Sequence, residues 1–320
     1  MKNILKLICF ALALIMLFAL VGCDKNNDFG DTSGNVSSNA SSDISSAVSD
    51  DSSSAEPSSS AISSAPVSSN PPVSSYVETV DKNHPYYDVI EAVKGIDRTR
   101  HGFSFGLSVD GNNRPTNAAK IQNQYKKYGL ICMTEEPMTI HLTFNLEYET
   151  VWTPNVLDTL KEKNCKAAFF ISQNYAENNP AIVRRIIDEG HILASHGARH
   201  KDMALCSAKE VCDEIMNLHN YVKDRFSYEM KYFRPPSGVY SEALFAQAQL
   251  LGYTNVEWSF AYEDWDTKKV FDEQAYYNYI TTKTHEGAIY SFHTTASITP
   301  KLLGRIIDYW LAEGYIVKGM

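Results

Sequence analysis

The sequence predicts an α/β protein, a distorted (β/α)7 barrel that is preceded by a secretion signal and a disordered tether. Short apolar strands alternate with amphipathic helices from residue 138 to the end of the chain, which is the pattern of parallel α/β architecture. The part with ordinary globular composition, residues 76–320, has the length of one such barrel. We expect a pre-barrel segment at 76–135 that packs on a barrel domain at 136–320.

The first 22 residues have the pattern of a bacterial lipoprotein signal. Two lysines precede an apolar run from Leu7 to Leu20, which is too short to span a membrane as a mature helix but suits the core of a signal peptide. The run ends in Leu20-Val21-Gly22-Cys23, which resembles a lipobox. We therefore expect residues 1–22 to be removed and Cys23 to be lipidated, which anchors the protein to the outer face of the cell membrane. A plain secretory signal with an incidental Cys23 is the alternative.

Residues 23–75 are predicted to form a disordered linker. Serine dominates this segment, together with Asn, Asp, Ala and Pro, and large apolar residues are almost absent. Such a composition buries too little apolar surface to offset the entropy lost when the backbone becomes ordered. A flexible chain of this length spans roughly 35–40 Å, which is enough to hold a domain away from the membrane.

Charge and cysteine content exclude two classes of function. The net charge is −9 and the pI is near 5.5, and no basic stripe is present, so the sequence argues against binding of nucleic acid. The globular part contains four cysteines without a CxxC pair or regular spacing, which argues against a disulfide framework or a cysteine metal site. We expect Cys132, Cys165, Cys206 and Cys212 to be free.

Seven strands and several helix boundaries follow from local patterns. The strands are predicted at Met138–Phe144, Lys166–Ile171, His191–Ala194, Lys231–Phe233, Asn255–Trp258, Ala288–Phe292 and Tyr315–Val317. Thr153-Pro154 and Asn179-Pro180 are typical of helix starts, and Ser207 with Glu210 forms a capping box. Helix ends are marked by Gly190, Gly252 and Gly314.

The pair His196 and His200 is the strongest chemical signal in the chain. The two histidines follow a predicted strand at a spacing of four, so their neutral imidazoles can converge on one divalent metal ion. This spacing alone is weak evidence, because two histidines four apart also occur with purely structural roles. The other polar motifs of the chain therefore decide how the pair is interpreted.

Five short segments occur in a fixed order. They are Thr143-Phe144-Asn145-Leu146-Glu147, His196-Gly197-Ala198-Arg199-His200, Arg234-Pro235-Pro236, Asp264-Trp265 and Ser291-Phe292-His293. Together they resemble the motif set of the polysaccharide deacetylases, carbohydrate esterase family four. The resemblance implies an incomplete barrel, a divalent metal such as zinc on His196 and His200, and hydrolysis of N-acetyl groups on the amino sugars of a cell-wall glycan.

Segments outside this set resemble one branch of the family. His101-Gly102-Phe103-Ser104-Phe105-Gly106 and Arg114-Pro115 are similar to the aromatic pre-barrel segment of the branch that acts on N-acetylmuramic acid in peptidoglycan and leads to δ-lactam. Arg234-Pro235-Pro236-Ser237-Gly238-Val239 is also similar to a motif of that branch. The resemblance therefore implies peptidoglycan as the partner and covers nearly the whole globular part.

The resemblance also assigns roles to Arg234, His293 and Asp264. In the family, the arginine of the third motif orients the general base. The histidine of the last motif is the general acid that protonates the departing amine, and an aspartate tunes it. Protonation of this kind is needed because an amide leaves poorly, and a nearby carboxylate raises the pKa of a histidine into a useful range. Taken singly, Arg234 also fits a turn and His293 a core histidine.

The first motif departs from the family at two positions. Asn145 stands where the family has the general base, and Leu146 stands where it has an aspartate that binds the metal. An amide does not accept a proton near neutral pH, and loss of a general base costs about 10²–10⁴ in rate. Strand alternation places Glu147 on the same side of the strand as Asn145. Glu147 is then either a substitute base or a solvated loop residue, and we favour the solvated loop residue.

Two hypotheses about function follow from these departures. The first is a metal-dependent deacetylase that removes N-acetyl groups from peptidoglycan outside the membrane. The second is a pseudo-deacetylase that binds glycan without turnover, because His196 and His200 would be the only two protein ligands of the metal.

Overall fold

The structure, a computed structural model, describes residues 80–148 and 151–320. The predicted signal, Cys23 and the Ser-rich linker lie outside the described residues and stay predictions. Within the described part of the chain, every helix is too short or too polar to cross a membrane.

Helices and strands alternate through most of the described chain. The helices are α1 (Tyr87–Ala92), α2 (Thr116–Tyr125), α3 (Trp152–Glu162), α4 (Gln173–Asn178), α5 (Pro180–Asp188), α6 (Ala208–Phe226), α7 (Glu242–Leu250), α8 (Glu273–Thr282) and α9 (Ile298–Ala312). The strands are β1 (His101–Gly102), β2 (Thr139–Leu146), β3 (Ala168–Ile171), β4 (Ile192–Ser195), β5 (Tyr232–Phe233), β6 (Val239–Tyr240), β7 (Thr254–Asn255), β8 (Phe260–Ala261), β9 (Ala288–His293) and β10 (Ile316–Lys318).

Eight of these strands form one curled parallel sheet, which confirms the predicted α/β barrel class. Their order is β7-β5-β4-β3-β2-β9-β8, and β10 pairs with the start of β2. The segment before β2 lies across the open side of the sheet, because Ile131 bridges to Val256 and Met133 bridges to Ala288. The chain at residues 131–133 therefore contacts the barrel sheet.

The seven predicted strands are all present, and the sequence prediction misses three two-residue strands, β1, β6 and β8. The strand predicted at Asn255–Trp258 ends early, at Asn255. The reason is that the carbonyl groups of Val256 and Glu257 accept hydrogen bonds from the side chain of Arg234.

The alternation of β2 separates two kinds of environment. Its apolar residues, Ile140, Leu142, Phe144 and Leu146, belong to the core between the sheet and the helices, together with side chains such as Leu157. The intervening Thr143 and Asn145 make hydrogen bonds on the opposite, inner face. Because all eight residues of β2 are buried, the strand forms the centre of the fold and delivers polar groups to its inside.

The helix starts agree only in part with the sequence predictions. The capping box of Ser207 and Glu210 is present at the start of α6. α3 instead begins at Trp152, and the Thr153 hydroxyl forms a 2.8 Å hydrogen bond with the Thr294 hydroxyl rather than a cap. The Asn179 side chain likewise donates backward to a carbonyl of α4. The four cysteines of the globular part are free and buried.

Candidate functional site

The motif residues meet at the carboxyl ends of the parallel strands. Asn145 and His293 lie opposite each other in the register of β2 and β9. His196 follows the last residue of β4, and Arg234 follows the last residue of β5. Because parallel strands end at the same edge of a sheet, side chains that are distant in sequence converge there.

His196 is held as a neutral imidazole. It is buried, and its Nδ1 lies 2.8 Å from the backbone carbonyl oxygen of Arg234, so the Nδ1–H donates and Nε2 keeps its lone pair. Burial, assisted by the neighbouring His200, lowers the pKa of His196 to about 3. The ring is therefore in the form that binds a metal ion at neutral pH.

His200 and Glu147 face each other beside His196. The Glu147 Oε1 atom lies 2.6 Å from His200 Nε2, yet this buried nitrogen has no aligned hydrogen-bond partner. One ligand atom from each of Glu147, His196 and His200 lies within 4.8 Å of the others. The three side chains thus point toward a common centre, and we call them the metal triad.

The position of Glu147 corrects two expectations from the sequence. Glu147 is not a solvated loop residue, and His196 and His200 are not the only protein side chains able to bind the ion. Burial opposes ionisation of Glu147, but His200, His196 and His293 outweigh it and hold its pKa below the usual value. The side chain of Leu146 lies in the apolar core, so Glu147 is the first acid after Asn145 that reaches the site. Glu149 lies outside the described residues.

The donor set of the metal triad fits a divalent ion such as zinc. Two neutral imidazole nitrogens and one carboxylate oxygen are the ligands that zinc takes in sites that keep a position open. His200 Nε2 is buried and faces Glu147 Oε1 at 2.6 Å without an aligned hydrogen bond, so a metal ion between the two groups would satisfy both.

The loop that carries the two histidines is tightly constrained. Gly197 has φ of +77° and His200 has φ of +54°, so both adopt the left-handed conformation. The loop is held by Glu214 on α6, whose buried carboxylate accepts the backbone N–H of Arg199 at 2.8 Å. Sequence reasoning missed Glu214. The signal was available, since an acid there lies on the apolar stripe of α6 with Val211.

His293 is oriented by Asp264. Its Nδ1 lies 2.8 Å from Asp264 Oδ1, and its backbone N–H donates to Oδ2 at 2.8 Å. Thr299 also donates its hydroxyl to Oδ2. Asp264 is fully buried, so the pair is rigid, and Nδ1–H of His293 points at the carboxylate while Nε2 faces the site. Sequence reasoning did not identify Thr299, which carries no motif signal.

Asn145 lies between His293, which Asp264 orients, and Arg234. Its Oδ1 accepts from Arg234 Nη1 at 2.9 Å, and its Nδ2 contacts Ser291 Oγ at 3.2 Å and His293 Nε2 at 3.3 Å. Both ends of the amide are therefore used. The arrangement supplies a metal triad and an oriented acid, but no carboxylate at position 145.

The aromatic residues near the motifs are mostly structural. Five aromatic residues lie close to the motifs in the sequence, namely Tyr240, Trp258, Tyr262, Trp265 and Tyr290. Only Trp265 is exposed, at 53%, and the other four side chains are buried in the core. A sugar ring therefore has Trp265, which directly follows Asp264, as the one exposed surface of this set for stacking.

Comparisons with known proteins identify relatives of this chain. A family model described as polysaccharide deacetylase matches residues 133–256. The peptidoglycan-N-acetylmuramic acid deacetylase PdaA of Bacillus subtilis is 31% identical over 220 residues, which make up 68% of this chain and 84% of that protein. The solved structure of Bacillus subtilis PdaA, a family 4 carbohydrate esterase, is similar with a TM-score of 0.66 and 29% identity, covering 69% of this chain and 95% of that chain.

A second solved structure shares the fold. It is a CE4 family pseudoenzyme from Bacillus anthracis, with a TM-score of 0.54 and 23% identity, covering 60% of this chain and 67% of that chain. At this identity the likeness concerns the fold alone.

Proposed function

Because the chain belongs to the polysaccharide deacetylase family, we propose that it removes N-acetyl groups from amino sugars of bacterial peptidoglycan by metal-dependent hydrolysis. The name of the Bacillus subtilis relative supports peptidoglycan as the substrate. The observation that carries the proposal is the metal triad of Glu147, His196 and His200 beside the oriented pair of Asp264 and His293.

Each residue of the site has a distinct task in this proposal. A divalent ion, when held by the metal triad, supplies polarisation of the acetamide carbonyl. His293 protonates the departing amine through Nε2, because Asp264 holds Nδ1–H and thereby sets the tautomer. Arg234 fixes the side chain at position 145 on the floor of the site.

The amide at position 145 limits the rate. A site without a positioned general base is slower by about 10²–10⁴ than one that has it. We therefore propose slow turnover by the protein as it stands. The second candidate function, a glycan-binding pseudo-deacetylase, is favoured by the same observation, since three hydrogen bonds hold Asn145 as an amide.

Acetate release and metal binding, measured on the same variants, test the proposal. We expect zinc to bind the protein, and we expect Glu147→Gln and the double variant His196→Ala, His200→Ala to bind it at least about tenfold more weakly. Acetate release from N-acetylated peptidoglycan is expected to be slow in the unchanged protein and absent in both variants. Glu162→Gln, an exposed change on α3, is the matched control.

The outcomes separate the two candidates. Equal zinc affinity of the unchanged protein and Glu147→Gln would remove Glu147 from the metal site. Glycan binding with metal bound and no acetate release would favour the pseudo-deacetylase. Zinc binding that survives Glu147→Gln while acetate release is lost would instead assign Glu147 the role of substitute base.

We also propose that the protein acts from the outer face of the membrane, anchored by lipid on Cys23. The support is the Leu20-Val21-Gly22-Cys23 signal end followed by the Ser-rich segment. In fractionated cells, the unchanged protein is expected in the membrane fraction and Cys23→Ala outside it. Equal partitioning of the two proteins would exclude the lipid anchor.

A further inference from the structure

A buried acid lies beneath the loop that carries His196 and His200. Glu214 is only 1% exposed, although glutamate is among the residue types that are most often at the surface. It lies on the apolar side of α6, together with Val211 and Leu218. Burying a carboxylate is costly unless hydrogen bonds or cations compensate it, so its neighbours indicate what it does. The proposed function assigns Glu214 no task.

The carboxylate of Glu214 contacts the chain on both sides of His200. Its Oε2 accepts the backbone N–H of Arg199 at 2.8 Å. Its Oε1 lies 3.2 Å from Arg199 Nε and 3.8 Å from Lys201 Nζ without an aligned hydrogen bond, so these two contacts are ionic. One buried side chain on α6 therefore holds the two residues that flank a member of the metal triad.

The backbone hydrogen bond is the stronger of these contacts. The side chains of Arg199 and Lys201 are 58% and 38% exposed, so water screens their attraction to Glu214, and exposed ion pairs of this kind contribute little. The Arg199 N–H instead donates to a buried carboxylate, which makes a charge-assisted hydrogen bond. Glu214 thus acts on the loop mainly through the backbone.

The loop needs such an anchor because its backbone is constrained next to the metal triad. His200 has φ of +54°, in the left-handed region that is unfavourable for a residue with a side chain. Gly197, with φ of +77°, also lies near the acid, since a Cβ atom there would be 3.8 Å from Glu214 Oε2. Metal ligands bind tightly only when the residues around them hold them in place.

We infer that Glu214 is a positioning residue of the metal triad. It anchors the Arg199 backbone and thereby holds His200 in the conformation that faces the other two ligands. This role rests on the metal site of the proposed function and does not require turnover. Loss of Glu214 weakens metal binding without unfolding the protein, because Arg199 and Lys201 are exposed enough for water to solvate them.

Zinc affinity and amide hydrogen exchange of Glu214→Leu test this role. Leucine suits the apolar side of α6 but accepts no hydrogen bond. We expect zinc to bind about 10–100-fold more weakly, and the Arg199 N–H of the metal-free protein to exchange at least about tenfold faster. The melting temperature of the metal-free protein is expected to stay within about 4 °C, since an apolar replacement of buried charge is often neutral.

Glu214→Gln separates the anchor from the charge. Its amide oxygen still accepts the Arg199 N–H, so exchange of that N–H is expected to stay slow and zinc affinity to stay within about fivefold of the unchanged protein. Asp213→Leu is the matched control, because Asp213 on the same helix pairs with Lys209. It should change neither zinc affinity nor exchange at Arg199.

Equal zinc affinity of Glu214→Leu and the unchanged protein would overturn the role, and so would weaker binding with unchanged exchange at Arg199. If Glu214→Leu does not fold, Glu214→Gln decides: a loss of zinc affinity beyond about tenfold with slow exchange retained at Arg199 would show that charge matters and the anchor does not. An unchanged protein that binds no zinc would contradict the proposed metal site itself, whereas faster exchange in Glu214→Leu would still show the anchor.

Discussion

A single functional group at residue 145 separates this site from one with a general base. The amide oxygen of Asn145 accepts from Arg234, and the amide nitrogen occupies the side facing His293. A carboxylate in the same place would keep the contact with Arg234 and put an oxygen, in place of the N–H₂ group, toward the site. The geometry therefore needs only a change of one group to gain a proton acceptor.

We predict that Asn145→Asp raises acetate release from N-acetylated peptidoglycan by at least about 10²-fold, the lower bound for a positioned base. Steady-state acetate release of the zinc-loaded protein measures it. Asn220→Asp, the same change on the exposed face of α6, is the control and should give no gain. A folded, zinc-loaded Asn145→Asp protein without any gain would show that a base at 145 is not what the site lacks.

Sequence reasoning located the residues whose type and order carry chemistry, and it failed where geometry alone decides. His196, His200, Asp264 and His293 were identified by motif, and the structure places all four at one site. The sequence favours a solvated loop position for Glu147, because a sequence does not show where a loop turns after a strand ends. The structure places it against His200.

Strand β2 shows how an element decides which residues reach the site. Side chains alternate along it, so Asn145 faces inward and Leu146 faces the core between the sheet and the helices. A metal ligand at position 146 would require the strand end to rotate. This is why Glu147, beyond the last strand residue, completes the metal triad.

We predict that Leu146→Asp destabilises the protein by about 3–5 kcal/mol, because it places a carboxylate in an apolar core and also removes a buried leucine. Urea unfolding measures the change in free energy. Leu146→Ala, the control, removes the leucine without adding charge and should cost less. A Leu146→Asp protein that is as stable as the unchanged one and binds zinc more tightly would show that side chain 146 turns into the site.

Element boundaries were predictable where capping chemistry is local and were not where tertiary contacts compete. The capping box at Ser207 needs only neighbouring residues, and it is present. The end of β7 depends on Arg234, which is far away in sequence and takes the carbonyl groups of Val256 and Glu257. No local pattern announces such a contact.

At the scale of the whole molecule, several histidines are buried in neutral form outside the metal triad. His191 and His285 have their pKa lowered to about 4, chiefly by burial. His285 is fully engaged as a neutral ring, with Nδ1 at 2.8 Å from the Lys283 carbonyl oxygen and Nε2 at 2.8 Å from the Ser259 hydroxyl. In the unfolded chain both rings take up a proton near pH 6.5.

We predict that the metal-free protein loses stability as the pH falls from about 6.5 toward 4. The unfolded chain binds more protons than the folded one in this window, so each of the two histidines contributes up to about 1.4 kcal/mol of loss per pH unit. The stabilisation that the two neutral rings provide is fully present above about pH 6.5. Urea unfolding at pH 7.5, 6.0 and 5.0 measures it.

The variant His285→Gln isolates one histidine. Glutamine does not titrate, and its side chain can still form a hydrogen bond with Ser259. The variant should therefore be less stable than the unchanged protein at pH 7.5, but its stability should decline less steeply as the pH falls. His84→Gln, the same substitution at a ring just before α1 that faces Asp213, is the control. Parallel pH profiles of His285→Gln and the unchanged protein would show that His285 is protonated in the folded state as readily as in the unfolded one.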